Sequence, residues 1–225
     1  RLLRSLVAEE EALLHYSQAS VHAAQIENRY ADFLGVRETW CRRLAASGVQ
    51  FRFVSYAELE EGVLDRTEAK TVILPHSAAL SAKEVAALRR FAGRGGVVVG
   101  DAQSGRMDEH CRELEENPLS GVVVGDAALP KENSDGVRVF RFRSRLGLAG
   151  RYYGFTRDVD AKGAEARRKV RLDKPGYVYD LRAKRALGLC GSFETALPPG
   201  EALRAIMSRS NCSSTGWVTP SRSIC

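Results

Sequence analysis

The stretch from Ala69 to Asp101, AKTVILPHSAALSAKEVAALRRFAGRGGVVVGD, constrains the fold more than any other part of this sequence. Thr71-Val72-Ile73-Leu74 and Val97-Val98-Val99 are short β-branched runs that are apolar on both faces, as buried parallel strands require. Between them Ser81 and Glu84 stand at capping-box spacing. Val85, Leu88 and Phe91 then mark one helical stripe, and Gly95-Gly96 stops the helix. This is one β-α-β unit. Ligands of open α/β sheets bind beyond the carboxyl ends of such strands, which here carry Pro75-His76-Ser77 and Gly100-Asp101-Ala102-Gln103-Ser104-Gly105.

The preceding segments extend the pattern. Residues 1–10 read as a helix end or linker. Ala12-Leu13-Leu14-His15-Tyr16 is a first strand, followed by Ser17-Gln18-Ala19 with Ser20 as the N-cap. Ile26, Tyr30, Phe33 and Leu34 recur at helical spacing until Gly35. A second helix carries Val36, Trp40 and Leu44 and ends at Gly48, before a strand at Phe51-Arg52-Phe53-Val54. Tyr56 to Asp65 is a short helix or loop. The order predicts an α/β fold with a doubly wound, mostly parallel sheet and helices on both faces. Asp108 to Glu116 reads as a short helix, and Val122-Val123-Val124 as one further strand.

From about Ala127 helical periodicity gives way to alternation. The runs are Val137–Arg143, Arg151–Thr156, Lys169–Leu172, Tyr177–Leu181, Ala186–Leu189, Phe193–Leu197 and Leu203–Met207, separated by Gly, Pro and Asp turns. They predict a smaller antiparallel β module. The expected organisation is an α/β domain over 1–126, the β module over 127–209, and a flexible tail over 210–225 that is rich in Ser, Thr and Cys.

Charge follows the same division. Residues 1–125 hold 15 Lys/Arg against 18 Asp/Glu, a net of −3, while residues 126–225 hold 19 against 10, a net of +9. A basic half invites a nucleic-acid reading. Its Arg residues, however, interleave with Val and Phe, as in Val137-Arg138-Val139-Phe140-Arg141-Phe142-Arg143, which is the alternation of a solvent-facing strand. Nucleic acid is therefore not the expected partner. No apolar run approaches the roughly 20 residues of a membrane span, and no signal-peptide pattern is present. The first residue is Arg rather than Met, so the expectation is a piece of a longer protein. Five widely spaced cysteines without a C-x-x-C point to a reducing, cytoplasmic setting.

The residues that could carry chemistry cluster at the strand ends. Ser17, Gln18 and Ser20 follow the first strand, His76 and Ser77 the third, and Asp101, Gln103 and Ser104 the fourth; of these, Ser17, Gln18, Ser20, His76, Asp101, Gln103 and Ser104 are the candidate cleft-lining residues. Single polar residues there also cap helices and satisfy loop backbone. Gly93-Arg94-Gly95-Gly96 follows a helix and opens a strand, the reverse of a dinucleotide fingerprint. A nucleophile at a strand-to-helix elbow would follow Val99, where the sequence reads Gly100-Asp101-Ala102-Gln103 and supplies neither thiol nor hydroxyl. Asp108-Glu109-His110-Cys111 has the composition of a metal cluster, but adjacent residues point to different faces. No catalytic residue, metal or cofactor is assigned.

In order along the chain, Tyr16-Ser17-Gln18-Ala19-Ser20, Trp40, the Phe51-to-Ser55 strand, Val72-Ile73-Leu74-Pro75, Leu88…Phe91…Gly95-Gly96 and Asp101…Ser104-Gly105…Asp108-Glu109 resemble a known pattern. It is that of the middle, trimerisation domain of glycoside hydrolase family 42 β-galactosidases. Arg151-Tyr152-Tyr153-Gly154, Gly176-Tyr177-Val178-Tyr179-Asp180-Leu181-Arg182…Leu187-Gly188 and Pro199-Gly200-Glu201-Ala202 are similar to the β-rich C-terminal part of those enzymes, so the resemblance covers roughly residues 12 to 208. It implies a class I glutamine-amidotransferase-like α/β fold, flavodoxin-like in its winding, without the catalytic cysteine. In that family the catalytic glutamates sit on a preceding (β/α)8 barrel, so neither is carried onto this chain. What the resemblance implies is a non-catalytic accessory region that self-associates as a trimer, contacts the parent enzyme's barrel and works beside a carbohydrate. The competing reading is a small-molecule-binding or amidotransferase-like enzyme using the strand-end cleft.

Overall fold

The computed structural model describes residues 6–125, 135–144, 150–200 and 206–209. They fall into two compact units. One is Ala8–Phe140, and the other comprises the described residues before Ala8 and after Phe140.

The first unit holds β2 (Ala12–Tyr16), α1 (Gln18–Ile26), α2 (Tyr30–Ala46), β3 (Phe51–Ser55), α3 (Tyr56–Glu60), α4 (Val63–Arg66), β4 (Thr71–Leu74), α5 (Ala82–Gly93), β5 (Val97–Gly100) and β6 (Val123–Val124). Its sheet has the order β3-β2-β4-β5-β6 with every neighbouring pair parallel. The chain thus starts near the middle, steps out to one edge, and returns to build the other side. Alternation along the strands sends side chains to two cores. Leu13, Val72, Leu74 and Val98 pack with Leu59 of α3, Leu64 of α4 and Leu88 and Phe91 of α5. Leu14, Ile73 and Val99 pack with Trp40 and Leu44 of α2 on the opposite face. Both Leu13 and Leu14 are fully buried, and each contributes on the order of 1.5–3 kcal/mol by leaving water. A strand sandwiched between two helical layers has no polar face, which is why these runs read as continuous apolar sequence.

Helix α5 has the ends its sequence predicts. The Ser81 side chain accepts from Glu84 N, and Glu84 Oε2 accepts from Ser81 N at 2.7 Å, a complete capping box. At the other end Gly95 takes φ +87°, with Gly95 N donating to Ala92 O and Gly96 N to Phe91 O, a Schellman closure. Gly96 is required for a second reason, because a Cβ there would lie 2.3 Å from the Phe91 ring.

Several expectations are corrected. Ser17, not Ser20, caps α1; its Oγ accepts from Ser20 N, and Ser20 is already inside the helix. The break between α1 and α2 falls at residues 27–29, where Asn28 has φ +56°, and not at Gly35. Gly35 lies on an open surface of α2, so nothing forces the helix to stop there. Residues Leu6–Ala8 form β1, a strand where a helix end or linker is expected. The stretch Asp108–Glu116 is turn rather than helix. Asp108 Oδ1 accepts from the N–H groups of His110 and Arg112, and Cys111 adopts φ +63°, so a side chain competes successfully for the helix's own backbone bonds.

The remaining strands form a six-stranded sheet of order β1-β7-β8-β11-β9-β10, with β7 (Val137–Ser144), β8 (Arg151–Arg157), β9 (Ala166–Asp180), β10 (Arg185–Leu197) and β11 (Ile206–Arg209). β9 and β10 are each one long strand where two short ones are expected. Register shifts at Ala186/Gly188 and Cys190/Ser192 absorb the interruptions that look like turns in sequence. Tyr153 and Phe155 meet Phe193 edge-on in the core. The buried Arg157 donates to the carbonyls of Leu197, Lys162 and Gly163. Residues 203–205 and the expected tail over 210–225 lie outside the described residues.

Candidate functional site

The carboxyl ends of β2, β4 and β5 gather the polar residues of the first unit. Beneath them lies a buried layer of which only Ser77 belongs to the strand-end loops. His15 lies on β2 with its side chain fully buried, its Nδ1 2.9 Å from Ser77 Oγ and its Nε2 2.9 Å from Glu84 Oε1. Glu84 accepts, so Nε2 carries the proton; in the neutral ring Nδ1 then accepts from the Ser77 hydroxyl. Glu84 serves both the α5 cap and this imidazole, tying the central strand to the start of α5. The residue types match a nucleophile, a base and an orienting acid, but Ser77 and Glu84 are each 2% exposed. A hydroxyl with no route to solvent cannot attack a substrate, so the set is a satisfied polar core. A signal for it existed: a histidine inside Leu13-Leu14-His15 on a doubly buried strand needs partners on both ring nitrogens.

A second cluster follows β4 and β5. Asp101 Oδ2 accepts from His76 N at 2.8 Å, and Oδ1 accepts from Gln103 N at 3.0 Å and lies 3.2 Å from Ser104 Oγ. The Ser104 hydroxyl also reaches Leu74 O at 3.0 Å. These bonds lock the turn after β5 onto the turn after β4. His76 is held in the left-handed region at φ +49°, and its buried ring stands edge-on to Phe33. Burial pushes its pKa below the ordinary histidine value; Asp101 opposes that shift, while Arg29 and Arg106 add to it.

The third feature is a cleft of about 530 Å³ at the same end of the sheet. Ser17, Gln18 and His22 of the α1 turn form one wall, Tyr56 and Glu60 of α3 another, and Ser81, Lys83 and Glu84 of the α5 turn a third. Glu109 stands on the rim. Gln18 Nε2 is 3.2 Å from His22 Nε2, and Glu60 Oε1 accepts from the Ser81 hydroxyl at 2.7 Å. Of the candidate residues, Ser17 and Gln18 line this cleft. Ser20 is turned inward, its hydroxyl exchanging bonds with the Ala79 backbone. His76, Asp101, Gln103 and Ser104 make the separate cluster described above. Tyr56, Glu60 and Lys83 had no distinguishing sequence signal; topology brings α3 beside α5.

Among the described residues no group of three or more His, Cys, Asp or Glu is arranged to hold a metal ion. The Cys111 thiol, pushed up mainly by burial, donates to Ala19 O rather than facing a base. No described helix is long and apolar enough to cross a membrane.

No protein-family profile matches the chain, and no curated protein does. Solved structures do. The chain superposes on the β-galactosidase of Bacillus circulans sp. alkalophilus with a TM-score of 0.57 at 12% identity, covering 90% of this chain and 42% of that one. A family 42 β-galactosidase from G. stearothermophilus gives a TM-score of 0.56 at 12% identity, over 89% of this chain and 40% of that one. The α-L-fucosidase isoenzyme 2 of Paenibacillus thiaminolyticus gives 0.52 at 11%, over 92% and 49%. The chain therefore spans less than half the length of each. At these identities the likeness is one of fold alone, over a parallel α/β unit and an antiparallel β unit.

Proposed function

We propose that this chain is a non-catalytic accessory and oligomerisation region of a β-galactosidase-like glycoside hydrolase, related to the trimerisation and C-terminal β parts of family 42 enzymes. The observation that carries the reading is coverage. About nine-tenths of this chain superposes on about two-fifths of two β-galactosidases, so the likeness extends beyond a single common motif. The strand order, with β2 between β3 and β4, supports a flavodoxin-like winding, which the amidotransferase-like reading requires. The turn after β5 supports the loss of chemistry, since Asp101 there is committed to holding His76, Gln103 and Ser104. In this role the parallel unit is a rigid body for subunit contact, and the parent enzyme's catalytic domain supplies the glutamates.

Two measurements test it together. The purified chain should hydrolyse no chromogenic β-galactoside, and sedimentation should show self-association, with a trimer as the expected species. Turnover by the chain alone refutes the non-catalytic role. A strictly monomeric chain that also fails to bind the separately expressed catalytic domain refutes the assembly role.

A further inference from the structure

We propose that the cleft at the strand ends of the parallel unit binds a small neutral polyhydroxylated ligand, of the size of a monosaccharide. The accessory role assigns this cleft nothing, so the inference goes beyond it and stands on the lining alone. The volume of about 530 Å³ lies within the range of small-molecule sites, roughly 300–1,000 Å³. The cleft lies on the carboxyl-end side of the parallel sheet, between α3, the start of α1 after β2 and the start of α5; this is the end of the sheet at which α/β folds take their ligands.

The lining offers hydrogen-bond donors and acceptors side by side. The first turns of α1 and α5 both border the cleft, and the opening N–H groups of a helix have no intrahelical partner. Those of Gln18, Ala19, Ala82 and Lys83 are therefore donors, joined by the Lys83 ammonium. An anion would welcome these but would face the carboxylates of Glu60, Glu84 and Glu109. A cation would welcome the carboxylates but would meet two helix N-termini and Lys83, which stands 3.9 Å from Glu60 Oε2. A hydroxyl satisfies both walls, because it donates one hydrogen bond and accepts others. Several hydroxyls on a compact ring can address Glu60, Glu109 and the Gln18 amide on one side and the helix-start N–H groups on the other. The half-exposed Tyr56 offers a ring face for the apolar C–H surface of such a molecule.

Glu84 is the fixed part of the site. Its oxygens already accept from Ser81 N and His15 Nε2, so it shapes the cleft floor without being free to grip a ligand.

The test is an amide-resolved NMR titration of the full chain with D-galactose, D-glucose and myo-inositol, with ammonium chloride and inorganic phosphate as charged probes. The expected result is saturable shifts in the millimolar range centred on Gln18, Ala19, Ala82 and Lys83 for at least one neutral probe. Glu109→Ala and Gln18→Ala should each weaken that binding by roughly 5–10-fold, the loss of about one hydrogen bond. Neither substitution removes a helix cap, so loss of fold does not confound them. The proposal is overturned if no neutral probe shifts these amides, if phosphate or ammonium alone does so, or if both variants bind as the parent does. Any of those results leaves the activity and assembly tests of the accessory role untouched.

Discussion

Replacing Glu84 should destabilise the parallel unit far more than a surface glutamate would. Glu84→Ala removes half of the α5 capping box, which is worth about 0.5–2 kcal/mol. It also leaves His15 Nε2–H unsatisfied in a fully buried site, at a cost of about 1–3 kcal/mol. The expected loss is therefore about 1.5–5 kcal/mol. Glu84→Gln should cost only about 1 kcal/mol. Its carbonyl can still accept from Ser81 N, and the imidazole can switch tautomer so that Nε2 accepts from the amide while Nδ1 donates to Ser77. The assay is urea unfolding followed by fluorescence of Trp40, which is buried against Leu14 and Ile73, in a Trp217→Phe background. A falling midpoint at constant slope reports stability alone. The companion experiment is a double-mutant cycle with His15→Leu and Glu84→Leu. Together these remove both partners, so the double variant should be about 1–3 kcal/mol less damaged than the sum of the singles. A Glu84→Ala cost below about 1 kcal/mol, or a coupling near zero, would refute the account of His15 and Glu84 as one buried unit.

Gly96→Ala should cost about 1–3 kcal/mol, because its Cβ would overlap the Phe91 ring; calorimetric or urea unfolding no weaker than the parent's would show that the ring can move aside. His76 supplies a pH signature. Its folded pKa lies below the unfolded value of about 6.5, so the unfolded chain binds more protons, and stability is full above that pH and falls as pH drops below it. His76→Gln should flatten the unfolding midpoint between about pH 6.5 and the carboxylate range, and an unchanged profile would exclude His76 as the source. In the β unit, Arg157→Leu should cost about 2–4 kcal/mol in urea unfolding, since three carbonyls lose a charged donor; near-neutrality would mean that water replaces it.

The parallel unit was readable because its strands are apolar on both faces and its α5 helix carries both termination signals, so propensity and packing agree at Ser81, Glu84 and Gly95. Sequence and structure part where one local signal stands against the rest of an element. Gly35 read as a stop, yet a glycine on the open side of α2 costs the helix only about 1 kcal/mol. The break at Asn28 depends on a left-handed backbone that no periodicity announces. In the β unit, Cys190-Gly191-Ser192 reads as a break between strands although the β9–β10 ladder continues past it through a register shift. The candidate site was half legible. Strand-end position identified Ser17 and Gln18, but only three-dimensional neighbourhood brings Tyr56, Glu60 and Lys83 to the same cleft. A histidine in the apolar run Leu13-Leu14-His15 signals that it needs partners but not which, since they lie 62 and 69 residues away.

The central placement of β2 has a consequence for how the chain reaches this state. β2 leaves the ribosome first among the parallel strands, yet both its ladders wait for residues made later, β3 and then β4. Its two apolar faces close only when α2 and α5 have also emerged. Until about Gly100 has been synthesised, Leu13 and Leu14 sit on a strand with exposed faces and open edges. Such a strand is a template for wrong pairing. Non-local parallel pairing of this kind is slow, and faults introduced early in translation, near β2, should therefore show themselves as aggregation during synthesis before they show themselves as lost stability.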